Sequence, residues 1–221
     1  MRISRFILIL TLLVICSSPV FSYMSPEEKG LFEAAKTGDT QKINLILRTV
    51  VNINAKDDNW KTPLMIAMQN NQIEAAKLLL SKRAGVDERD KSWRTALMLA
   101  AYSGKAEFVK LFISYKANVN LGDKVGETAL MFAAQKGNKD CAEVLISKGA
   151  RIDARDVYYR TPVSYAVMSS EEGNIETLKL LISKGANIRT ADKSGVTPMK
   201  LAKMLKNMKA VEILKEAGAI N

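Results

Sequence analysis

The chain repeats itself at a fixed period. Aligned on its threonines it reads TPLM from Thr62, TALM from Thr95, TALM from Thr128, TPVS from Thr161 and TPMK from Thr197, at spacings of 33, 33, 33 and 36 residues. Five residues before each threonine stands an aspartate: Asp57, Asp90, Asp123, Asp156 and Asp192. Each threonine leads an apolar stretch centred on Ala67, Ala100, Ala133, Ala166 or Ala202. A second amphipathic run follows each one (AAKLLL, FVKLFI, CAEVLI, TLKLLI, AVEILK), then a small-residue turn such as GARID from Gly149 or GANIR from Gly185. Self-similarity at such a period marks a stacked array, in which each unit covers the apolar face of the next.

The local chemistry agrees. Threonine before proline before an apolar run is a helix start, with the hydroxyl as cap and proline at the first helical position. Each helix is only a few turns long, too short to persist alone. The ends read as caps. Residues 25–56 lack a leading hairpin but keep two helices, and Ser25 and Glu28 have capping-box spacing around Pro26. The last unit carries Lys200, Lys203, Lys206 and Lys209 where inner units are more apolar. These lysines are read as solvating the end of the array; a membrane-surface patch is the alternative, although aromatic anchors are missing.

Taken together, these residues resemble the ankyrin repeat, whose pattern runs DxxGxTPLH, AA, GHxE, LLL, GADVN. The resemblance covers residues 27–221. It implies an all-α repeat, an ankyrin solenoid of about six helix-turn-helix units with hairpin loops. The expected units are 25–56, 57–89, 90–122, 123–155, 156–191 and 192–221, within a domain spanning 23–221. Three departures stand out. The family's histidine is replaced by Met65, Met98, Met131, Ser164 and Lys200, and the methionines are read as core filler rather than an adaptable surface. Glycine after the second helix is replaced by Val50, Arg83 and Lys116. If that turn is left-handed, each costs about 1 kcal/mol relative to glycine. The fifth unit is longer through SSEEGN from Ser169, which is expected to lengthen the turn between its helices.

Residues 1–22 read as a secretory signal: a basic start with Arg2 and Arg5, an apolar run over 6–16, and Val20 and Ser22 placed for cleavage before Tyr23. An uncleaved anchor over residues 6–20 and a lipid on Cys16 are the alternatives. The expected location is therefore exported, periplasmic or secreted, with membrane contact through the N-terminal segment or a lipid if at all. The net charge is +10, and it stays at +8 without residues 1–22, which hold two arginines and no acid. Such a balance favours an acidic partner.

Catalysis finds little support. The chain has no histidine and two cysteines, of which only Cys141 lies outside the leader. No nucleophile–base pair, metal cluster or phosphate-binding glycine loop is visible. The aspartate row cannot hold calcium, because stacked units sit about 10 Å apart and calcium needs oxygens within about 2.3–2.6 Å. Local hairpin hydrogen bonding is the expected role of these aspartates. Glu171 and Glu172 read as a solvated loop, and Cys141 as a buried small hydrophobe. Neither a cofactor nor a metal is expected.

The residue two before each threonine is Trp60, Trp93, Gly126, Tyr159 and Gly195, followed by Lys61, Arg94, Glu127, Arg160 and Val196. The resemblance implies glycine at that hairpin position and a concave face where partners bind. Aromatic–cation pairs stand there instead, with Tyr158 beside them. Lys56, Arg89, Lys91, Tyr102, Lys124, Lys136, Arg155 and Lys193 project near the same face, with Asp58 and Glu127 as its main acids. The expected partner-binding residues are Trp60, Lys61, Arg89, Trp93, Arg94, Tyr102, Arg155, Tyr158, Tyr159 and Arg160, types enriched in hot spots. A competing expectation is bracing between tips, Trp60 on Arg94 or Trp93 on Lys124. The expected function is a monomeric, non-enzymatic scaffold for an acidic protein segment. The alternative is a polyanion such as an acidic glycan or anionic lipid headgroups; export argues against nucleic acid. Because three of its turns lack glycine, the N-terminal half is expected to exchange amide hydrogens faster than residues 123–190, and the reverse order would refute this.

Overall fold

A computed structural model describes residues 24–219. The expected signal, residues 1–22 with Cys16 and the cleavage position, lies outside the described residues. Among the described residues are twelve helices. They are α1 (Pro26–Thr37), α2 (Thr40–Ile46), α3 (Pro63–Gln69), α4 (Ile73–Ser81), α5 (Ala96–Tyr102), α6 (Ala106–Ser114), α7 (Ala129–Gln135), α8 (Lys139–Ser147), α9 (Pro162–Ala166), α10 (Glu172–Ser183), α11 (Pro198–Met204) and α12 (Met208–Glu216). The extended pairing among these residues is one isolated bridge, Gly122 with Thr128.

Each first helix packs on its own second helix, and the first helices pack in a row from α1 through α3, α5, α7 and α9 to α11. In the outer row α2 packs on α4, α6 on α8, α8 on α10 and α10 on α12. The result is an all-α repeat solenoid. Ala67, Ala100, Ala133, Ala166 and Ala202 are all fully buried, and their small side chains let neighbouring first helices approach closely. Leu79, Phe112, Leu145, Leu181 and Leu214 are the matching buried residues of the second helices.

The helix starts follow the threonine pattern. Thr62, Thr95, Thr128 and Thr161 each accept from the third helical N–H at 3.4 Å, and Thr197 does so at 3.2 Å. Ser25 and Glu28 form the reciprocal capping box, at 3.1 and 3.0 Å. Met65, Met98 and Met131 are buried, as core filler should be. Two of the residues that stand in the histidine position bond back to the helix start: the Thr128 N–H donates to Met131 Sδ, and the Thr161 N–H to Ser164 Oγ.

Polar side chains bind consecutive units. Lys105 Nζ donates to the Met68 and Gln69 carbonyls. Asn138 donates to Ala101 and Tyr102, Asn174 to Ala134 and Gln135, and Asn207 to Val167 and Ser169. Each thus satisfies carbonyls left open at the end of the preceding first helix.

Two expectations need correction. Arg83 and Lys116 do adopt left-handed backbone, both at φ 67, as Gly149 and Gly185 do. Val50 does not: α2 stops at Ile46, and Leu47 caps it in right-handed geometry at φ −70. The penalty falls on two positions, not three. The second expectation is incomplete: the connection in the fifth unit does lengthen, to residues 167–171 against 136–138 in the unit before, but the extra residues do more. They add a turn to the start of α10, which runs 12 residues against nine in α8. Glycine makes this possible, since a Cβ on Gly173 would stand 2.6 Å from the Gly137 carbonyl oxygen.

Arg83→Gly and Lys116→Gly should therefore each raise stability by about 1 kcal/mol in urea denaturation, whereas Val50→Gly should give no gain.

Candidate functional site

Each hairpin tip is organised by its aspartate. Asp57 Oδ1 accepts from the Asn59 and Lys61 N–H groups, both at 2.8 Å. Asp90, Asp123, Asp156 and Asp192 repeat the pattern on the residues two and four positions on. The aspartates therefore act locally, and among the described residues no group of three acidic or cysteine side chains could hold a metal ion. Successive tips are joined by single backbone hydrogen bonds: Lys91 N–H to Asn59, Lys124 to Ser92, Val157 to Val125 and Lys193 to Tyr158, at 2.9–3.1 Å. The tips form a continuous row.

At the crest of each tip the backbone is left-handed. Gly126 and Gly195 meet this with φ 82 and 73; Trp60, Trp93 and Tyr159 occupy it with φ 61, 64 and 63. Bulky side chains are rare in that region, because Cβ crowds the following carbonyl. The three aromatics are 45, 48 and 48% exposed. Tyr158 is exposed beside Tyr159, and Tyr102 stands on the end of α5 against Phe132.

The cations are arranged differently from the expected bracing. Trp60 lies under Lys56 at 5.7 Å and Trp93 under Arg89 at 5.4 Å, each cation four residues earlier in the chain, not under Arg94 or Lys124. Tyr159 repeats this with Arg155 at 5.8 Å and adds a cross-tip contact to Lys193 at 5.1 Å. Lys136 covers Tyr102 at 4.7 Å. Among the described residues Arg89 and Arg155 form no close ion pair, although the charge of Arg89 acts on Asp87, while Lys56 pairs with Glu88 at 3.0 Å.

Three of the expected contact cations are engaged within the fold. Arg94 is clamped on Asp90 at 2.9 Å. Lys61 donates to Gln69 Oε1 at 3.1 Å. Arg160 donates to Asp156 at 2.7 Å and lies 3.5 Å from Glu127. It is also stacked between Tyr158 and Tyr165, 4.9 Å from each ring. Arg94 and Arg160 thus offer a partner less charge than their positions suggest.

Sequence reasoning missed a buried network at this place. The Tyr165 hydroxyl meets both Glu127 and Asp156, the latter at 2.8 Å. Burial and its bonds to Glu127 and Asp156 push the Tyr165 hydroxyl far above its ordinary range, which keeps it a donor. Burial is the largest single influence on Arg160 and draws it down, but the hydrogen bond to Asp156 and the nearby charges of Asp156 and Glu127 together outweigh it, so the charge is held more firmly. Glu127, expected as an acid of the exposed face, turns inward. The signal was present: Tyr165 stands in a register held by Ile66, Leu99, Phe132 and Leu201 elsewhere. A hydroxyl in a core register needs a partner.

Other candidates carry no chemistry. Cys141 is buried, and burial pushes its thiol up to about 11, so no reactive thiolate forms near neutral pH. Glu171 precedes α10 and Glu172 opens it, paired at 3.6 Å with exposed Lys209.

With the helix pairs and tips in place, the comparisons are consistent. A family profile described as ankyrin repeats (three copies) matches residues 8–90 and 82–156, and a single ankyrin repeat profile matches 158–193. The chain belongs to the ankyrin repeat family. It is similar to an ankyrin repeat domain from Acinetobacter baumannii AYE (28% identity, 86% of this chain and 98% of that one, TM-score 0.78). It is also similar to the ankyrin repeat protein EF0377 (28%, 87% and 99%, 0.78) and to the human ASB11 ankyrin repeat domain (25%, 89% and 85%, 0.75). No curated protein matches. Ankyrin repeats are generally protein–protein interaction scaffolds, and proteins built from them are typically non-enzymatic.

Tyr165→Phe removes a hydroxyl that serves two carboxylates. It should lower stability by about 2–3 kcal/mol in urea denaturation and speed amide exchange at residues 156–160; unchanged exchange there would show that the network does not hold the tip.

Proposed function

We propose that this ankyrin repeat chain is an exported, non-enzymatic scaffold whose hairpin row and first helices hold an acidic, partly apolar protein segment. One observation carries the reading: three bulky aromatics occupy left-handed crest positions where glycine fits without strain, and they stay half exposed with a cation over each ring. Trp60, Trp93, Tyr158, Tyr159 and Tyr102 supply apolar contact, with Arg89 and Arg155 as the charges left for a carboxylate. Lys61, Arg94 and Arg160 contribute mainly by shaping the tips. Export rests on the leader at residues 1–22, with the repeat domain from Tyr23 onward acting outside the cytoplasm as a monomer.

The basic row also supports the polyanion reading, since Lys91, Lys124 and Arg155 lack carboxylate partners among the described residues. Salt separates the two, because polyanion binding falls steeply as salt rises.

The test compares the protein with its Trp60→Gly/Trp93→Gly variant as bait for cell-envelope extract at moderate salt. Glycine fits both backbones, so stability should hold or rise by up to about 1 kcal/mol per site, while an acidic protein retained by the first bait is lost from the second. Equal catches, with stability lower by about 0.5–1 kcal/mol per site from lost cation–π contacts, would assign the tryptophans to bracing and refute the binding role.

A further inference from the structure

The last unit carries a second surface, at the opposite end of α11 from its hairpin tip. The turn between α11 and α12 presents Met204, Leu205 and Met208, which are 64, 50 and 68% exposed. In earlier units the positions of Met204 and Leu205 hold Gln69-Asn70, Tyr102-Ser103, Gln135-Lys136 and Met168-Ser169. The final turn is thus more apolar than the turns before it, whereas a terminal unit gains solubility from the reverse. Exposing three large apolar side chains in one convex knuckle marks a contact surface.

The knuckle is held in place. Leu205 caps α11 in right-handed geometry, Lys206 takes the left-handed position at φ 56, and buried Asn207 donates to the Val167 and Ser169 carbonyls at 3.1 and 2.8 Å. Around it Lys200, Lys206 and Lys209 are exposed, and no acid occurs between Asp192 and Glu212. Lys209 reaches Glu172 at 3.6 Å, with both side chains mostly in water, so that pair neutralises little.

We propose that the α11–α12 turn docks on an anionic bilayer: Met204, Leu205 and Met208 enter the boundary between headgroups and acyl chains while the surrounding lysines lie against the headgroups. A convex apolar knuckle within a ring of cations complements a flat, deformable, negatively charged surface, and the pairing of buried apolar area with lysine attraction is that of interfacial membrane contacts. Among the described residues no helix is long and apolar enough to cross a membrane, so this is a surface contact. It is independent of the N-terminal segment and of the hairpin row, and it gives a definite form to the membrane-surface patch that the lysines of the last unit raised as an alternative. Docking through this turn leaves the tips at the far end of the helices free.

Hydrogen exchange on the full chain tests this locally, because peptides over residues 203–209 report the turn apart from the apolar N-terminus. Vesicles of phosphatidylcholine with about one-third phosphatidylglycerol should slow exchange there several-fold, and pure phosphatidylcholine should not. Met204→Ser/Leu205→Ser/Met208→Ser should abolish the slowing. Lys200→Gln/Lys206→Gln, which leaves the apolar residues in place, should weaken the local contact about 25-fold at low salt. No slowing with anionic vesicles, or equal slowing with neutral ones, overturns the proposal. Slowing that grows with protein concentration without lipid also overturns it and assigns the turn to a second copy of the chain.

Discussion

Everything in this molecule depends on helices that cannot stand alone. A seven-residue helix such as α3, α5 or α7 has too few hydrogen bonds to offset its own nucleation. It persists because its alanine face is sealed by the first helices on either side, and that sealing requires alanine rather than a larger residue at Ala67, Ala100, Ala133 and Ala166. The same closeness fixes where the hairpins emerge, so the packing that makes the array stable also places the tips in register.

The tips then add a second level of order. Each aspartate closes its own turn with two N–H bonds, and one backbone hydrogen bond passes from tip to tip. The row is stiff without a core of its own, so its crest side chains are free to face solvent. Between Gly126 and Tyr159 the join is reinforced by Glu127, Asp156, Arg160 and Tyr165. A buried ionic cluster of this kind contributes more to a defined geometry than to raw stability. It ties the tip that carries Tyr158 and Tyr159 to the tip before it.

The helices, their threonine caps, the aspartate turns and the burial of the methionines were legible in the sequence, because each rests on contacts within one repeat and recurs with its period. What escaped involved interactions across units or choices between equivalent geometries. Trp60 takes Lys56 rather than Arg94 because Arg94 is clamped on Asp90, while Lys56 is held beside the ring by Glu88 from further along the chain. Arg160 reads as a free charge until Tyr165, on the following helix, is brought against it. The extra residues after Ser169 extend α10 because Gly173 can touch Gly137, a backbone contact no local pattern announces. Val50 escapes the left-handed turn because α2 ends early. The knuckle at Met204, Leu205 and Met208 was masked by the lysines around it.

Strain helps separate architecture from use. Arg83 and Lys116 hold left-handed backbone at the turns after the second helices, away from the hairpin crests, so positive φ alone does not mark the proposed site. The crest positions differ in three respects. All three substitutions there are aromatic, a bulky type poorly suited to that backbone; each ring is kept half in water instead of being folded onto the core; and each is paired with the cation four residues earlier, at the close of the preceding unit. Gly126 and Gly195 in the same row show that the backbone needs no side chain at these points. The proposed binding role rests on this combination, a residue that the fold does not require in a conformation that disfavours it.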